Sequence, residues 1–289
     1  MPKIITLAKY AGFCYGVKRA VETAKKLKAE NINTPVSVLG ELIHNAEVIK
    51  ELEALGIKTL NQIPESGTGI CVIRSHGESP EVIEKIKQAG FTPVDLTCPD
   101  VKKVQQKAIE LAKDDYFVVI VGKSEHPEVI AIRANAALWT DNVTVASSVE
   151  QLLPIQDKIK THKKVGVVVQ TTQRLETLNK IVEFLTSISK ELHVANTICA
   201  STSMRQKEAR ELAQVNDLMI VVGSKKSANT SHLAEILKGI TKTIHIETDA
   251  ELDDYADIIN KAEKIAVTAG ASTPQNIIDN VITKLKKGE

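Results

Sequence analysis

The chain has 289 residues, a length that fits one large domain or two to three ordinary ones. Its 37 basic and 36 acidic side chains leave a net charge of +1, so no global field attracts nucleic acid or an anionic membrane surface. Aromatic residues make up only 3% of the chain, too few for a protein that stacks bases. We therefore expect no nucleic-acid partner and no membrane partner.

Hydrophobic residues (43%) and charged residues (25%) stand in the proportions of an ordinary globular protein. The longest apolar runs, such as residues 116–121, are far too short to span a membrane. A lysine stands on each side of the first apolar run, at Lys3 and Lys9, which does not resemble a signal peptide. Four cysteines in such a chain are expected to be reduced, so we predict a cytoplasmic protein whose cysteines have a function.

Short β-branched runs alternate along the chain with longer segments of helical periodicity, a pattern typical of parallel α/β architecture. Strands are predicted at residues 4–7, 36–39, 70–74, 94–97, 117–121, 165–169, 194–198, 218–222 and 264–268. Helices are predicted at residues 17–29, 46–55, 80–89, 101–112, 175–189, 204–213 and 276–287. The predicted fold class is therefore α/β.

A threefold internal repeat organises these elements. Three cysteines each precede an amphipathic helix that carries Lys or Arg, namely Cys14, Cys98 and Cys199. A strand ending in glycine follows, 26, 24 and 24 residues after the cysteine, and a polar side chain comes four residues later: Gly40 with His44, Gly122 with His126, and Gly223 with Ser227. We call each of these recurring positions a station, the cysteine being the first and the polar residue after the glycine the second. Another strand then leads to the third station of each repeat: Ser75-His76-Gly77, Gln170-Thr171-Thr172 and Ala269-Gly270-Ala271-Ser272.

The repeat predicts three α/β units related by a pseudo-threefold axis. Their predicted bounds are residues 14–97, residues 98–196, and residues 197–289 together with 1–13. The alternative is that α/β proteins look repetitive at this level of detail. Cysteines and polar groups recurring at matching stations favour a genuine repeat.

The three repeated cysteines are candidate ligands of one metal centre. In parallel sheets, ligands collect outside the carboxyl ends of the strands. Cys98 and Cys199 end the predicted strands 94–97 and 194–198, and Cys14 stands between a strand and a helix. Each thiol is thus expected at a helix N-terminus, where the dipole favours the thiolate. A pseudo-threefold arrangement would bring the three sulfurs together.

Three thiolates at separations of 84 and 101 residues suit an iron–sulfur cluster in which one iron has no protein ligand. An electron carrier would use four cysteines, and a structural zinc site would show paired C-x-x-C ligands. An open iron could act as a Lewis acid on a substrate oxygen. For any one cysteine the alternative is a small buried hydrophobic residue, which is the interpretation for Cys71 within the strand at 70–74.

Polar side chains at the other stations suggest an anion site. Three of the seven histidines stand there: His44, His76 and His126. Histidines bind phosphate oxygens when protonated and move protons near neutral pH. Uncharged donors stand at the same stations: Ser227, Asn229 and Ser272. These suit an anion at a helix N-terminus, with helix capping as the alternative.

Glu128 follows His126 and Pro127 at a predicted helix start. It is a candidate proton donor beside a metal-bound substrate, with His126 and Thr171 relaying the proton. Such an acid matters because a hydroxyl must be protonated before it can leave as water. The alternative role for Glu128 is a first-turn acid that interacts with the helix dipole.

Several short motifs stand in order over nearly the whole chain: Ala11-Gly12-Phe13-Cys14-Tyr15-Gly16-Val17, Thr97-Cys98-Pro99, His126-Pro127-Glu128-Val129, Gln170-Thr171-Thr172, Val222-Gly223-Ser224-Lys225 and Thr268-Ala269-Gly270-Ala271-Ser272. Each is short, but in this order they are highly specific. The chain resembles the 4-hydroxy-3-methylbut-2-enyl diphosphate reductase family, which performs the last step of the non-mevalonate isoprenoid route.

The resemblance implies a trefoil of three α/β units around a central 4Fe–4S cluster, with Cys14, Cys98 and Cys199 as its ligands. The substrate hydroxyl would bind the fourth iron. Two electrons and two protons would remove it as water and give isopentenyl and dimethylallyl diphosphates. The electrons would come from a transient protein partner of the ferredoxin or flavodoxin type.

The resemblance also implies roles for the polar residues. Glu128 would supply protons, with His126 and Thr171 close to the substrate alcohol. The diphosphate would be held by His44, His76, Ser227, Ala228, Asn229 and Ser272. At Ala228 the family often has serine, so that here only the backbone N–H can make the contact.

Two other classes of protein remain open. A non-redox dehydratase can also use three cysteines and an open iron, but it needs arginines to bind a substrate carboxylate, and only Arg74 and Arg133 stand near the stations. An iron–sulfur sensor or scaffold would need neither Glu128 nor the anion stations.

Overall fold

The computed structural model describes residues 3–287. Their contacts divide the chain into two units. The first unit comprises Met1–Arg19, Ile43–Glu51 and Ala200–Glu289, and the second comprises Ala20–Leu42 and Leu52–Cys199. Residues 1, 2, 288 and 289 of the predicted third α/β unit lie outside the described residues, and the three predicted unit boundaries stay a prediction.

Strands and helices alternate through the described residues. The strands are β1 (Ile4–Leu7), β2 (Val36–Leu39), β3 (Ile57–Leu60), β4 (Ile70–Ile73), β5 (Thr92–Asp95), β6 (Phe117–Val121), β7 (Val143–Ala146), β8 (Lys164–Val169), β9 (Glu191–Val194), β10 (Leu218–Val222), β11 (Lys242–Ile246) and β12 (Lys264–Ala269). The helices are α1 (Tyr15–Glu30), α2 (Ala46–Ala54), α3 (Pro80–Gln88), α4 (Pro99–Lys113), α5 (Pro127–Ala137), α6 (Gln156–His162), α7 (Leu175–Ile188), α8 (Ala200–Ala213), α9 (Ala228–Lys238), α10 (Ala256–Lys261) and α11 (Gln275–Lys287).

The first unit contains one parallel four-stranded sheet, in the order β11-β10-β12-β1. Successive residues of β10 point to opposite faces, and both faces are covered by helices. Ile220 packs in a cluster with residues of α11, whereas Met219 and Val221 pack in a cluster with residues of α8 and α9. Burial on both faces explains why β10 is a continuous apolar run in the sequence.

The second unit contains two parallel four-stranded sheets, in the orders β3-β2-β4-β5 and β7-β6-β8-β9. In the latter sheet, Val119 and Val167 pack in a cluster with residues of α7. Their neighbours Val118 and Val168 pack in a cluster with residues of α4 and α5. Both faces are again buried, which is the usual situation of a parallel sheet.

The three sheets share one topology. In each, two central strands pair, the strand that lies between them in the chain joins one edge, and a fourth strand joins the other edge. The chain is therefore α/β and built from three equivalent sheets, which confirms the predicted fold class. In the sheet of the first unit the fourth strand is β1, from the opposite end of the chain.

Two predicted strands before the cysteines were misplaced. The strand predicted at 94–97 is Thr92–Asp95, and the strand predicted at 194–198 ends at Val194, so neither reaches its cysteine. Side-chain bonds explain the second error. Thr197 Oγ1 accepts from Val169 N at 2.7 Å, and Asn196 Oδ1 accepts from Ile198 N at 3.2 Å. Thr197 Oγ1 also donates to Val169 O, so a side chain occupies the backbone groups of β8 that would have continued the ladder beyond Val194.

Within residues 3–287, no helix has both the length and the apolar character that a membrane crossing needs.

Candidate functional site

The three cysteines occupy equivalent positions in the backbone. In the first unit, the N–H of Cys14 donates to the carbonyl of Ala271 at 3.2 Å. In the second unit, the N–H of Cys98 donates to Ser75 O at 3.0 Å, and that of Cys199 donates to Thr171 O at 3.1 Å. Each acceptor belongs to a third station, namely that of the repeat before the one that the cysteine begins, with the last repeat preceding the first. The cysteine and the station that follows the last central strand are therefore tied together in the same way three times.

Each cysteine also lies at the beginning of a helix. Cys14 and Cys199 directly precede α1 and α8, and Cys98 is the N-cap of α4, with proline at the first helical position. None of the three forms a disulfide within residues 3–287, and all three are partly exposed. Cys71, in contrast, is only 1% exposed and packs in a hydrophobic cluster, which confirms its interpretation as a core residue.

A buried acid of the second unit is bonded to Thr171, the residue whose carbonyl holds Cys199. The carboxyl of Glu128, 1% exposed, accepts from Thr171 N at 2.6 Å and from Thr171 Oγ1 at 2.8 Å. Burial raises the pKa of Glu128 to about 7, although both bonds from Thr171 act in the opposite direction. The carbonyl of this same Thr171 holds the N–H of Cys199. Glu128, with a pKa of about 7, is therefore hydrogen-bonded directly to the residue that anchors Cys199.

The histidines of the second unit extend this group. His126 is the N-cap of α5, where its Nδ1 accepts from Glu128 N at 3.2 Å. This bond leaves the proton of the neutral ring on Nε2. The ring of His76 meets that of His126 edge to face, with the centroids 5.4 Å apart. His76 follows Ser75, whose carbonyl holds Cys98. The structure thus brings Cys98, both histidines, the acid, Thr171 and Cys199 into one continuous group.

Stability at different pH values tests the burial of Glu128. The folded-state pKa of about 7 exceeds the usual 4.5, so the folded chain favours the protonated carboxyl of Glu128. The contribution of this protonated carboxyl to the free energy of unfolding is complete below pH 4.5 and is lost as the pH rises through 7. Relative to Glu128→Gln, the wild-type protein should lose about 2–3 kcal/mol of unfolding free energy between pH 5 and pH 8. Urea denaturation of the iron-free proteins measures this difference.

The matched control for that measurement is Glu125→Gln. Hydrogen bonds from its own backbone and Ser124 lower the pKa of the exposed Glu125, so its carboxylate stays ionised between pH 5 and pH 8. This variant should follow the wild-type profile. If Glu128→Gln also followed the wild-type profile, Glu128 would not titrate in this range.

The first unit brings together a second polar group. Ser272 follows Ala271, the residue that holds Cys14, and its Oγ donates to His44 O at 3.3 Å. Ser227 is the N-cap of α9, and Asn229 lies in the first turn of the same helix. Ser227 and Asn229 are 6% and 5% exposed. The Nδ2 donor of Asn229 is buried without a hydrogen-bond partner among residues 3–287.

Thr230 connects these two parts of the first unit. It is fully buried, and a Cβ atom on Gly270 would collide with its Oγ1. Gly223 has φ +136°, and a Cβ there would collide with Thr273 Oγ1. The two glycines therefore let the N-terminus of α9 pack closely against the third station of this repeat.

The sequence analysis assigned no role to two buried polar residues near these stations, Thr230 and Gln170. Gln170 is fully buried, its Oε1 accepts from Lys123 N at 3.2 Å, and its Nε2 donates to Thr172 Oγ1 at 3.1 Å. It thereby fixes the loop that leads to His126. Its position at a repeated station was the available signal, whereas nothing in the sequence distinguishes Thr230 from an ordinary helical threonine.

The chain is thus an α/β protein with partly exposed cysteines at three equivalent helix N-termini and a buried acid whose pKa is raised to about 7. Comparisons with known proteins give its family. Residues 5–286 match the LytB protein family. A relative from Geobacter sulfurreducens, named 4-hydroxy-3-methylbut-2-enyl diphosphate reductase, is 42% identical over 284 residues, which cover 98% of this chain and 97% of the relative.

Two solved structures are similar over almost the whole chain. One, titled as (E)-4-hydroxy-3-methyl-but-2-enyl diphosphate reductase, the terminal enzyme of the non-mevalonate pathway, has a TM-score of 0.73, 36% identity and 99% coverage of both chains. The other, titled as the E-1-hydroxy-2-methyl-but-2-enyl-4-diphosphate reductase from Plasmodium falciparum, has a TM-score of 0.88, 29% identity and coverage of 98% of this chain and 88% of the other. The chain belongs to the LytB family, which confirms the family resemblance drawn from the sequence motifs.

Proposed function

We propose that the chain is an oxidoreductase that removes the hydroxyl of 4-hydroxy-3-methylbut-2-enyl diphosphate. Two electrons and two protons enter, the C–O bond breaks, one proton leaves with the oxygen as water, and the other forms a new C–H bond. The products are isopentenyl and dimethylallyl diphosphates. The observation that carries this proposal is the pair Glu128–Thr171, anchored to Cys199, in a chain whose relatives are named as reductases of this substrate.

We further propose that Cys14, Cys98 and Cys199 hold one 4Fe–4S cluster. The donor set fits, because the three thiols form no disulfide within residues 3–287, are partly exposed and are fixed through equivalent backbone bonds. When bound, such a cluster supplies electrons and, with three protein ligands, one iron open to a substrate oxygen.

Glu128 supplies the proton for the leaving hydroxyl. With a pKa of about 7, its carboxyl is half protonated at neutral pH, so it can donate a proton and take another from solvent. Thr171 Oγ1, which lies 2.8 Å from Glu128 Oε2, passes the proton outward. His126 presents Nε2–H while its Nδ1 is held by the Glu128 backbone, so its ring orients the alcohol.

The substrate is proposed to bind His126 and Thr171 at its alcohol. At its diphosphate it is proposed to bind His44, His76, Ser227, Ala228, Asn229 and Ser272. The first turn of α9 offers backbone N–H groups and a favourable dipole for an anion. The buried Nδ2 of Asn229 is a donor that an anionic oxygen would satisfy. Ala228 lies at the first helical position, so it takes part through its backbone N–H.

Asn229→Asp tests the anion site, because it replaces this amide donor by a carboxylate of the same shape. Repulsion from the diphosphate should raise KM about tenfold or more and leave kcat within about threefold. The reason is that anion binding is weakened equally in the ground state and in the transition state. Steady-state kinetics measure both constants. Asn276→Asp, on an exposed position of α11, is the control. A KM equal to that of the wild type would remove Asn229 from the site.

The electron source is proposed to be a transient protein partner of the ferredoxin or flavodoxin type, in the cytoplasm. One cluster holds too few electrons for repeated turnover, so an external donor must restore them.

The non-redox dehydratase is less favoured, because Arg74 pairs with Glu78 at 2.8 Å and Arg133 is exposed. Neither arginine is therefore prepared for a substrate carboxylate.

Electron counting tests the reaction class. Anaerobic assays with a reduced one-electron dye should oxidise two dye molecules for each diphosphate consumed. A dehydratase would convert a substrate without oxidising the dye, and a sensor would consume neither dye nor substrate. Either result, obtained on protein with its iron intact, would contradict the proposed reduction.

A further inference from the structure

The segments that lead from the sheets to the three cysteines differ in length. The strands β5, β9 and β1 end at Asp95, Val194 and Leu7. Residues 96–97, 195–198 and 8–13 then remain before Cys98, Cys199 and Cys14, which makes two, four and six residues. A longer segment has more conformational freedom to lose. The approach to Cys14 therefore needs the most additional restraint.

A local turn restrains the two shorter segments. Three residues before Cys98, the carboxylate of Asp95 accepts from Thr97 N at 2.8 Å. Three residues before Cys199, Asn196 Oδ1 accepts from Ile198 N at 3.2 Å. This Asx turn fixes the backbone immediately before the cysteine. The corresponding position before Cys14 is Ala11, whose side chain cannot accept a hydrogen bond.

Two charged side chains of α8 hold the longest segment instead. Arg205 is only 3% exposed and donates from Nε to Tyr10 O at 2.9 Å and from Nη2 to Gly12 O at 2.7 Å. One helical turn further along α8, the carboxylate of Glu208 accepts from Lys9 N at 2.7 Å and from Tyr10 N at 2.9 Å. These four charge-assisted bonds restrain residues 9–12 through both backbone N–H groups and backbone carbonyls.

We propose that Arg205 and Glu208 are positioning residues for Cys14 and replace the Asx turn that its repeat lacks. The planar fork of Arg205 suits two carbonyls at once, which a lysine cannot match. Because α8 begins directly after Cys199, the helix that follows one proposed cluster ligand in the chain also holds the approach to another. The relevance of this restraint to catalysis rests on the proposed function, in which the cysteines are cluster ligands. The restraint itself is already present in the iron-free chain.

Thiol alkylation in the iron-free protein tests the proposal. Iodoacetamide labelling followed by peptide mass spectrometry gives a separate rate for each cysteine. Arg205→Gln should speed alkylation of Cys14 about threefold or more, because local opening exposes its sulfur, and leave Cys98 and Cys199 within error. Arg205→Lys should give an intermediate rate. Glu211→Gln, on an exposed position of the same helix, should change none of the three rates.

The reciprocal variants complete the test. Asp95→Ala should speed alkylation of Cys98 alone, and Asn196→Ala that of Cys199 alone. Equal acceleration of all three cysteines in Arg205→Gln would mean that Arg205 merely supports the fold, and an unchanged rate at Cys14 would mean that it does not position this thiol. Either result would overturn the proposal. Because no iron or substrate is present, the outcome is independent of whether the chain proves to be a reductase.

Discussion

Replacing Glu128 by Gln is expected to lower kcat by about 10²–10⁴ while the protein keeps its iron. Glutamine fits the same space, because its oxygen can accept from Thr171 N and its amide can donate to Thr171 Oγ1. It cannot give a proton to a leaving hydroxyl. Anaerobic turnover and iron analysis on the same preparation separate a lost proton donor from a lost cluster.

Two further variants sharpen this result. Thr171→Val keeps the backbone bond to Glu128 but removes the hydroxyl, so kcat should fall less than it does in Glu128→Gln. Glu125→Gln changes an exposed glutamate three residues before Glu128 and should leave kcat unchanged. Full activity in Glu128→Gln, with the iron intact, would remove this carboxyl from the mechanism.

Replacing Cys14, Cys98 or Cys199 by Ala is expected to abolish turnover, because each supplies one of the three proposed cluster ligands. The thiolate is the ligand, and alanine offers no substitute. Iron and sulfide analysis after anaerobic reconstitution should show little bound cluster in each variant. Activity should fall to the level of the protein without iron.

Cys71→Ala is the matched control for the cysteine variants. Its sulfur is buried in a hydrophobic cluster, so its loss should cost about 1 kcal/mol of stability and leave the iron content unchanged. Retention of a full cluster and full turnover by any of the other three alanine variants would show that the cysteine concerned is not a ligand. Loss of the cluster in Cys71→Ala alone would reverse the assignment.

The central strands could be predicted from the sequence because burial on both faces makes them continuous apolar runs. β6 and β10 have the predicted bounds, Phe117–Val121 and Leu218–Val222. The edge strands β3, β7 and β11 were not predicted. Each is short and mixes polar with apolar residues, as in Lys242–Ile246. Their conformation depends on pairing with a central strand, which a local pattern does not reveal.

Part of the candidate site could be outlined from the sequence because its elements repeat. The repeat predicted the recurrence of cysteine and polar stations, and the equivalent backbone bonds of Cys14, Cys98 and Cys199 confirm that the stations correspond. The environment of Glu128 could not be predicted, because its pKa is raised by burial in the folded chain and its hydrogen-bond partner Thr171 lies 43 positions away in the sequence. Arg205 was missed since the backbone that it holds lies 193 to 195 positions away in the chain.

The most direct test of the proposed reaction is anaerobic turnover of 4-hydroxy-3-methylbut-2-enyl diphosphate in deuterated water with a reduced one-electron donor. Mass spectrometry of the products should show two five-carbon diphosphates that have lost the hydroxyl and gained one carbon-bound deuterium, because one of the two protons leaves in water. Recovery of unchanged substrate by protein with an intact cluster would contradict the account. So would a product that forms without any oxidation of the donor.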